Sequence, residues 1–337
     1  MNNTIWEGKN GPLLIAEIGG NHEGNFEYAK KLTQLAVESG CDYVKFQIYS
    51  GDGLVNPIEN PDRNKHFKKF ELSVDQHKDL AQLCQNNNVG YLASVWEIGA
   101  LEWIDQYMNF YKIGSGDLTA YPMIKSICEC KKPILLSTGL ATEEEVLEAI
   151  NYIRSLDPFY QTSASIGVLQ CTSMYPIPYR DAHLSVMEKF KSITNCTIGY
   201  SDHTEGTYAL ETAVAMGAEI LEFHFTDDRE GKEFRDHKVS LTQQEVRELI
   251  VKIQEIRSLK GSDQKQPLEV EGDHVISFRR AIYPAKEIPA NTKVTEQDFT
   301  ILRPNHGIPA NEFDLLVGKT TTKALKRFEK LDWNYFE

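Results

Sequence analysis

No apolar run in the 337 residues reaches the roughly 18 that a membrane-spanning helix needs, so a place within the bilayer is not expected. The opening MNNTIWEGKNG has no basic segment leading into an apolar core, and no secretory signal is expected. Cysteine is scarce, with six residues at positions 41, 84, 128, 130, 171 and 196. Only Cys128 and Cys130 lie close together, and a C-x-C pair lacks the spacing and partners of a zinc knuckle. Reduced cysteines in a cytoplasmic protein are the expectation. Basic charge is short as well: 36 Lys and Arg face 49 Asp and Glu, a formal net charge of −13. The basic footprint of a nucleic-acid binder is missing. An anionic substrate remains compatible where a few lysines and arginines converge. The first loop, GGNHEG, does not match a dinucleotide-binding fingerprint. Neither a nucleophile elbow nor a Ser-His-Asp order is present, which leaves a hydrolase of that kind unsupported.

What is there alternates. LLIAEI (13–18), DYVKFQI (42–48), VGYLAS (89–94), FYKIGS (110–115), PILLST (133–138), IGVLQCT (166–172), CTIGYS (196–201) and AEILEFHF (218–225) read as buried strands. Helix-like segments fill most gaps. In FEYAKKLTQLAVESG, Ala29, Leu32, Leu35 and Ala36 recur at helical spacing and Gly40 stops the run. Ser73 caps DQHKDLAQLCQNNN, and Thr142 caps a helix whose first turn holds Glu143, Glu144 and Glu145. Residues 50–72 read as a long polar excursion. Strands separated by helices imply a parallel sheet. Eight such units fit a (β/α)₈ TIM barrel over residues 1–260 better than a doubly wound sheet of five to seven strands. A polar linker, 261–276, follows. Residues 277–337 carry the strand-like runs SFRRAIY, KVTEQDFTIL and GKTTTKAL, and the turn signal IPAN twice. A small all-β module is expected there, too short for a large core of its own.

Barrel enzymes carry their chemistry at the C-terminal ends of the strands. Those ends offer Glu17 with Asn21 and His22; Lys45 and Gln47; Lys112, Ser115 and Asp117; Ser137 and Thr138; Gln170, Thr172 and Tyr175; Ser201, Asp202 and His203; Glu222 and His224. His203 and His224, on neighbouring strands, are candidate ligands for a divalent ion. Glu222, Asp236 or Asp202 could complete the shell or orient the rings. The plainer alternative makes His203 a helix cap and His224 a satisfied core residue. YKIGSGD (111–117) and LSTG (136–139) supply small residues and hydroxyls suited to an anion, with Lys112 adding charge. Lys45, inside VKFQ, needs a counter-charge when buried: Glu17 or a ligand phosphate. Either lysine could instead form an imine in a Schiff-base aldolase.

The motifs IAEIGGNHEG, VKFQ, YKIGSGD, ILLSTGLA, LQCTSMYPIPYRD, IGYSDHTEG and LEFHFT stand in one order. In that order the chain resembles the sialic acid (N-acetylneuraminate) synthases, including the legionaminic and pseudaminic acid synthases. The resemblance spans nearly the whole chain, its tail resembling the family's antifreeze-like, or SAF, domain. It implies metal-dependent condensation of phosphoenolpyruvate with an N-acylated aldohexose, giving a nine-carbon nonulosonic acid and phosphate. It implies catalytic roles for Glu17, Lys45, Asp117 and Glu222. Phosphoenolpyruvate would be bound by Lys45, Lys112, Ser115, Ser137 and Ser201, and the sugar by Gln47, Tyr175, Asp236 and Arg303. His203 and His224 would hold the metal, manganese or alternatively magnesium or cobalt. A domain-swapped homodimer is implied too, as is the alternative of a silent carbohydrate-binding or ice-interacting protein suggested by the tail. The chain departs from the family where GSGE becomes GSGD at Asp117, and where STPF becomes SVWE at Trp96 and Glu97.

Overall fold

The computed structural model describes residues 5–337. The chain divides into two units, the first ending at Gly261 and the second spanning Ser262–Glu337. The first is a closed barrel of eight parallel strands: β1 (Gly11–Glu17), β2 (Tyr43–Ile48), β3 (Gly90–Val95), β4 (Tyr111–Ile113), β5 (Ile134–Ser137), β6 (Ile166–Cys171), β7 (Thr197–Asp202) and β8 (Ile220–His224). Each pairs with the next, and β1 pairs with β8 to close the ring. A two-residue strand, Glu7–Gly8, adds antiparallel to the start of β1. The strands are buried on both faces, which is why they read as continuous apolar runs rather than alternating ones.

Helices fill the crossovers: α1 (Phe26–Ser39), α2 (Pro61–Phe70), α3 (Val74–Asn86), α4 (Tyr121–Cys128), α5 (Glu143–Leu156), α6 (Ser185–Thr194), α7 (Tyr208–Ala215) and α8 (Gln243–Lys260). Their ends follow local chemistry. The Asn25 side chain accepts from Tyr28 N–H, and Gly40 ends α1 at φ 97°. Ser73 with Gln76, Thr142 with Glu145 and Thr242 with Glu245 form reciprocal capping boxes. The expected excursion over 50–72 is partly helical. Asn60 caps α2, Pro61 sits in its first turn, and Lys68 and Lys69 suit its C-terminal dipole. The helix has little apolar periodicity, so only its end signals were legible. Among the described residues no helix is long and apolar enough to cross a membrane.

The second unit pairs β9 (Ala281–Pro284) antiparallel to β10 (Phe299–Leu302). The third strand-like run, GKTTTKAL, forms isolated bridges only, such as Lys293 with Thr320 and Ile288 with Leu325. A small core of Ile282, Ile288, Val294, Phe299, Leu316 and neighbouring apolar residues holds it together. The segment expected to be a linker contains a short helix, His274–Ser277, whose Ile276 carbonyl accepts from Asn305 N–H.

Candidate active site

A parallel barrel points alternate residues of every strand inward, and its register sets which of them meet. Glu17 stands opposite Lys45 on β2 and opposite His224 on β8. Ser201 on β7 stands opposite Glu222, and Ser94 on β3 opposite Lys112. These ends open into one cavity of about 1160 Å³. Glu17, Lys45, Gln47, Lys112, Ser115, Asp117, Ser137, Tyr175, Ser201, His203, Glu222, His224 and Asp236 all line it. Arg303 lies in the second unit, exposed, with its guanidinium 5.5 Å from the Phe278 ring centre.

One group in the cavity is built on lysine. Lys45 Nζ lies 2.5 Å from Glu17 Oε2, and Gln47 Nε2 donates to Glu17 Oε1 at 2.9 Å. Lys112 Nζ donates to Ser137 Oγ at 2.6 Å and lies 3.4 Å from Glu222 Oε1. Ser201 Oγ donates to the same Oε1 at 3.0 Å. Burial would lower Lys45, but Glu17 and Glu222 outweigh it and hold the amine above its ordinary range. Lys112 goes the other way, because burial wins over Glu222. Burial would raise Glu222, and the two lysines hold it below the usual carboxylate range. The backbone makes room: Gly19 has φ +51°, and a Cβ there would stand 2.8 Å from Glu17 Oε1.

The other group is aromatic. The His203 and His224 rings lie 5.3 Å apart, with the Tyr175 ring 4.0 Å from the first and 5.3 Å from the second. His203 Nδ1–H donates to the Thr172 carbonyl at 2.6 Å, which leaves Nε2 as the ring's free lone pair. His224 Nδ1 is buried without a hydrogen-bond partner, 3.9 Å from Asp236 Oδ2. Burial holds His224 well below its ordinary value, so it is neutral. Burial would lower His203 too, but Cys171, 3.8 Å from Nδ1, the Thr172 carbonyl and Asp202 together draw the ring upward. Burial raises both Asp236 and Asp117. Two imidazole nitrogens with an orphaned buried lone pair and a carboxylate close by suit a divalent cation.

Other strand-end residues are structural. Asn21 Nδ2 donates to the Phe225 carbonyl and to Ser240 Oγ, and His22 Nδ1 accepts from Gly24 N–H. Gln170, Thr138 and Thr172 each bond a backbone carbonyl. Asp202, considered for the metal shell, instead accepts from Tyr200 and Thr204. Sequence patterns missed Arg63, His66, Phe67 and Phe70 of α2, together with Cys171, Phe234 and Arg235, all of which line the cavity. The aromatics clustered in KHFKKF were the available signal for the α2 set.

Residues 32–265 match the NeuB family and residues 279–334 match the SAF domain. The chain is 32% identical over 330 residues to an N,N'-diacetyllegionaminic acid synthase of Campylobacter jejuni, covering 94% of this chain and 98% of that one. It is 30% identical to an N-acetylneuraminate-9-phosphate synthase of Mus musculus, covering 96% and 92%. The crystal structure of a sialic acid synthetase from Leptospira borgpetersenii, in complex with citrate, superposes with a TM-score of 0.73 at 27% identity, over 82% of this chain and 94% of that one. With a barrel of matching topology and a family match over most of its length, the chain belongs to the NeuB family.

Proposed function

We propose that this chain is a nonulosonic acid synthase, joining phosphoenolpyruvate to an N-acylated aldohexose and releasing phosphate. The observation that carries this reading is the gathering of two buried lysines and several serine hydroxyls in the same cavity as two neighbouring histidines. Lys45 and Lys112, with Ser115, Ser137 and Ser201, bind the phosphate and carboxylate of phosphoenolpyruvate. Gln47, Tyr175, Asp117 and Asp236 face the sugar. His203 and His224 hold a divalent ion, manganese or alternatively magnesium or cobalt, which when bound polarises the aldehyde oxygen of the open-chain sugar. Among the described residues no group of three or more His, Cys, Asp or Glu side chains is gathered to hold a metal.

The residues then divide the chemistry. Lys45 and Lys112 fix the enol carbon toward the aldehyde carbon, and the new C–C bond forms between them. Glu17 and Gln47 keep Lys45 oriented and charged. Water adds at the carbon that carried the phosphate, and Glu222, already shared between the lysines, takes its proton. Loss of phosphate from that tetrahedral centre leaves the keto group. A homodimer belongs to the same reading, with the small unit of one copy bringing Arg303 to the N-acyl group over the other's barrel. Its check is the mass in solution and the acceptor KM of Arg303→Ala.

The test is phosphate release from phosphoenolpyruvate over a panel of N-acyl sugars, with chelator and with manganese added back. No release with any sugar overturns the proposal. One observation favours a second reading: Lys112 is held below its ordinary range, as an imine-forming lysine requires. Borohydride with pyruvate decides it, since a Schiff-base aldolase leaves a covalent adduct on Lys112 or Lys45 and the proposed synthase leaves none.

A further inference from the structure

Residues 51–71 leave the barrel after β2, return before α3, and spend their polar groups on one another. The Gly51 N–H donates to the Glu71 carboxylate, which joins the two ends of the segment. The buried Asn64 Nδ2 reaches the Gly51 carbonyl at 2.9 Å, the Val55 carbonyl at 2.8 Å and Asp52 Oδ1 at 3.1 Å. Lys68 Nζ lies 2.7 Å from Asp52 Oδ1. A one-turn helix, Gly51–Leu54, and α2 are thereby locked into one piece. Among the described residues no hydrogen bond or ion pair runs from this piece to the barrel beyond Ser50.

What seats it on the barrel is aromatic. Phe70 packs on Phe234, in the segment after β8, with ring centres 5.1 Å apart, and His66 stacks on the same ring at 5.9 Å. Phe67 meets Tyr49 edge-on at 5.3 Å. Tyr49 in turn packs on Trp96 at 5.5 Å, and Trp96 Nε1–H donates to Asp117 Oδ2 at 2.6 Å. Such ring contacts are not directional, and they part and re-form without stranding a buried polar group.

The wall that the piece presents is positive. Arg63, His66 and Lys69 line the cavity. Among the described residues Arg63 and Lys69 make no ion pair; they rest on Phe67 and Phe70 of their own helix. The deeper lysines, Lys45 and Lys112, each come with a carboxylate. In a chain of net charge −13, two unpaired cations over a cavity are a local exception that an anion completes.

We propose that residues 51–71 are a lid: one internally locked piece, hinged at Ser50 and Leu72, seated through Phe234 and Tyr49, and drawn shut by a phosphate-bearing anion entering the cavity. Closure removes water from around the lysines before the C–C bond forms. The identity of the anion as phosphoenolpyruvate rests on the synthase reading above.

The experiment places spin labels on the full-length protein at Lys65→Cys, an exposed lid residue that does not line the cavity, and at Glu148→Cys on α5. Cys130, partly exposed, is replaced by Ser. The distance between the labels is read by double electron–electron resonance in magnesium buffer, with no sugar present. Thermal melts confirm that every variant is folded. Phosphoenolpyruvate should raise the ratio of closed to open lid at least about fivefold, and potassium chloride of equal ionic strength should not. A matching rise with inorganic phosphate assigns closure to phosphate charge, and its absence there assigns closure to the whole enol acid; both sustain the lid. Arg63→Gln combined with Lys69→Gln should abolish the response and raise the phosphoenolpyruvate KM about fivefold. Phe234→Ala should lower the closed population before any ligand is added. Distances that phosphoenolpyruvate leaves unchanged, an equal response to chloride, or a response that survives Arg63→Gln with Lys69→Gln overturns the lid while phosphate release, measured separately, decides the reaction. Closure without phosphate release from any sugar leaves the lid and overturns the synthase.

Discussion

The lysine group and the histidine group share one cavity but are finished differently. Each lysine has a carboxylate oxygen within 3.4 Å and a second oxygen nearby, Glu222 Oε2 at 3.9 Å for Lys45 and Ser137 Oγ at 2.6 Å for Lys112. The lysine group leaves one buried oxygen without a hydrogen bond, Glu222 Oε2, but Lys45 Nζ stands 3.9 Å from it, whereas the open atom of the histidine group, His224 Nδ1, is a lone pair that faces no cation. A buried charge that is paired belongs to the fold as much as to the chemistry. A buried lone pair left open costs stability and is retained for something that comes later. The difference teaches that the two groups answer to different selection: the first to folding and substrate binding together, the second to a ligand.

The largest effect should come from the histidine group. His203→Ala and His224→Ala, like treatment with chelator, should lower phosphate release by at least about a thousandfold. That matches loss of several kcal/mol of charge stabilisation. Manganese should restore the chelated wild type and neither variant. The same His224 position should matter little to folding, and His224→Leu should keep urea-unfolding stability within about 1 kcal/mol of wild type or raise it. The lysine group should behave in reverse. Lys45→Met strands Glu17 in the interior and should cost about 3–5 kcal/mol in the same unfolding measurement. Adding Glu17→Gln to it should recover part of that stability and none of the activity. If Lys45→Met and His224→Leu shift stability alike, the contrast between the groups is wrong.

A smaller effect separates the cavity from histidines that only resemble its members. Burial lowers His22 to about 4 and His77 to about 3, from an ordinary 6.5. Both are neutral when folded, whereas the unfolded chain takes up protons as the pH drops below 6.5. The unfolded state then binds more protons, so stability falls with falling pH in the window from 6.5 to 4. His22 alone accounts for roughly 3 kcal/mol of that loss. Denaturant titrations at pH 7 and pH 4.5 should show a smaller difference for His22→Gln than for wild type. Smallest, Thr142→Ala removes an exposed helix cap that does not line the cavity. It should cost about 1 kcal/mol, seen as a lowered Tm with unchanged phosphate release.

The barrel was legible because a strand buried on both faces has a simple signature and helix caps are local. Lys45, Lys112, His203 and Glu222 were legible for the same reason: a polar residue at the end of an apolar run has few structural excuses. Asn21, His22 and Asp202 had the same appearance, yet their partners are a backbone carbonyl, a neighbouring amide and two hydroxyls. Such partners are set by loop geometry, which no periodicity reports. The α2 wall was hidden by its polar composition. The bond from Trp96 to Asp117 was hidden by distance along the chain: both residues stood out as departures, but nothing in either stretch says that they touch.

Glu17 sits on the seam of the barrel, between β2 and the last strand to join. Lys45 is available to it early in synthesis, but His224 emerges only after most of the first unit has been made. The ion pair joins neighbouring strands in the sequence, whereas the contact of β1 with β8 that brings His224 beside Glu17 spans most of the first unit. No truncated or half-closed product can possess both. Only the closed ring brings Glu17, Lys45 and His224 side by side.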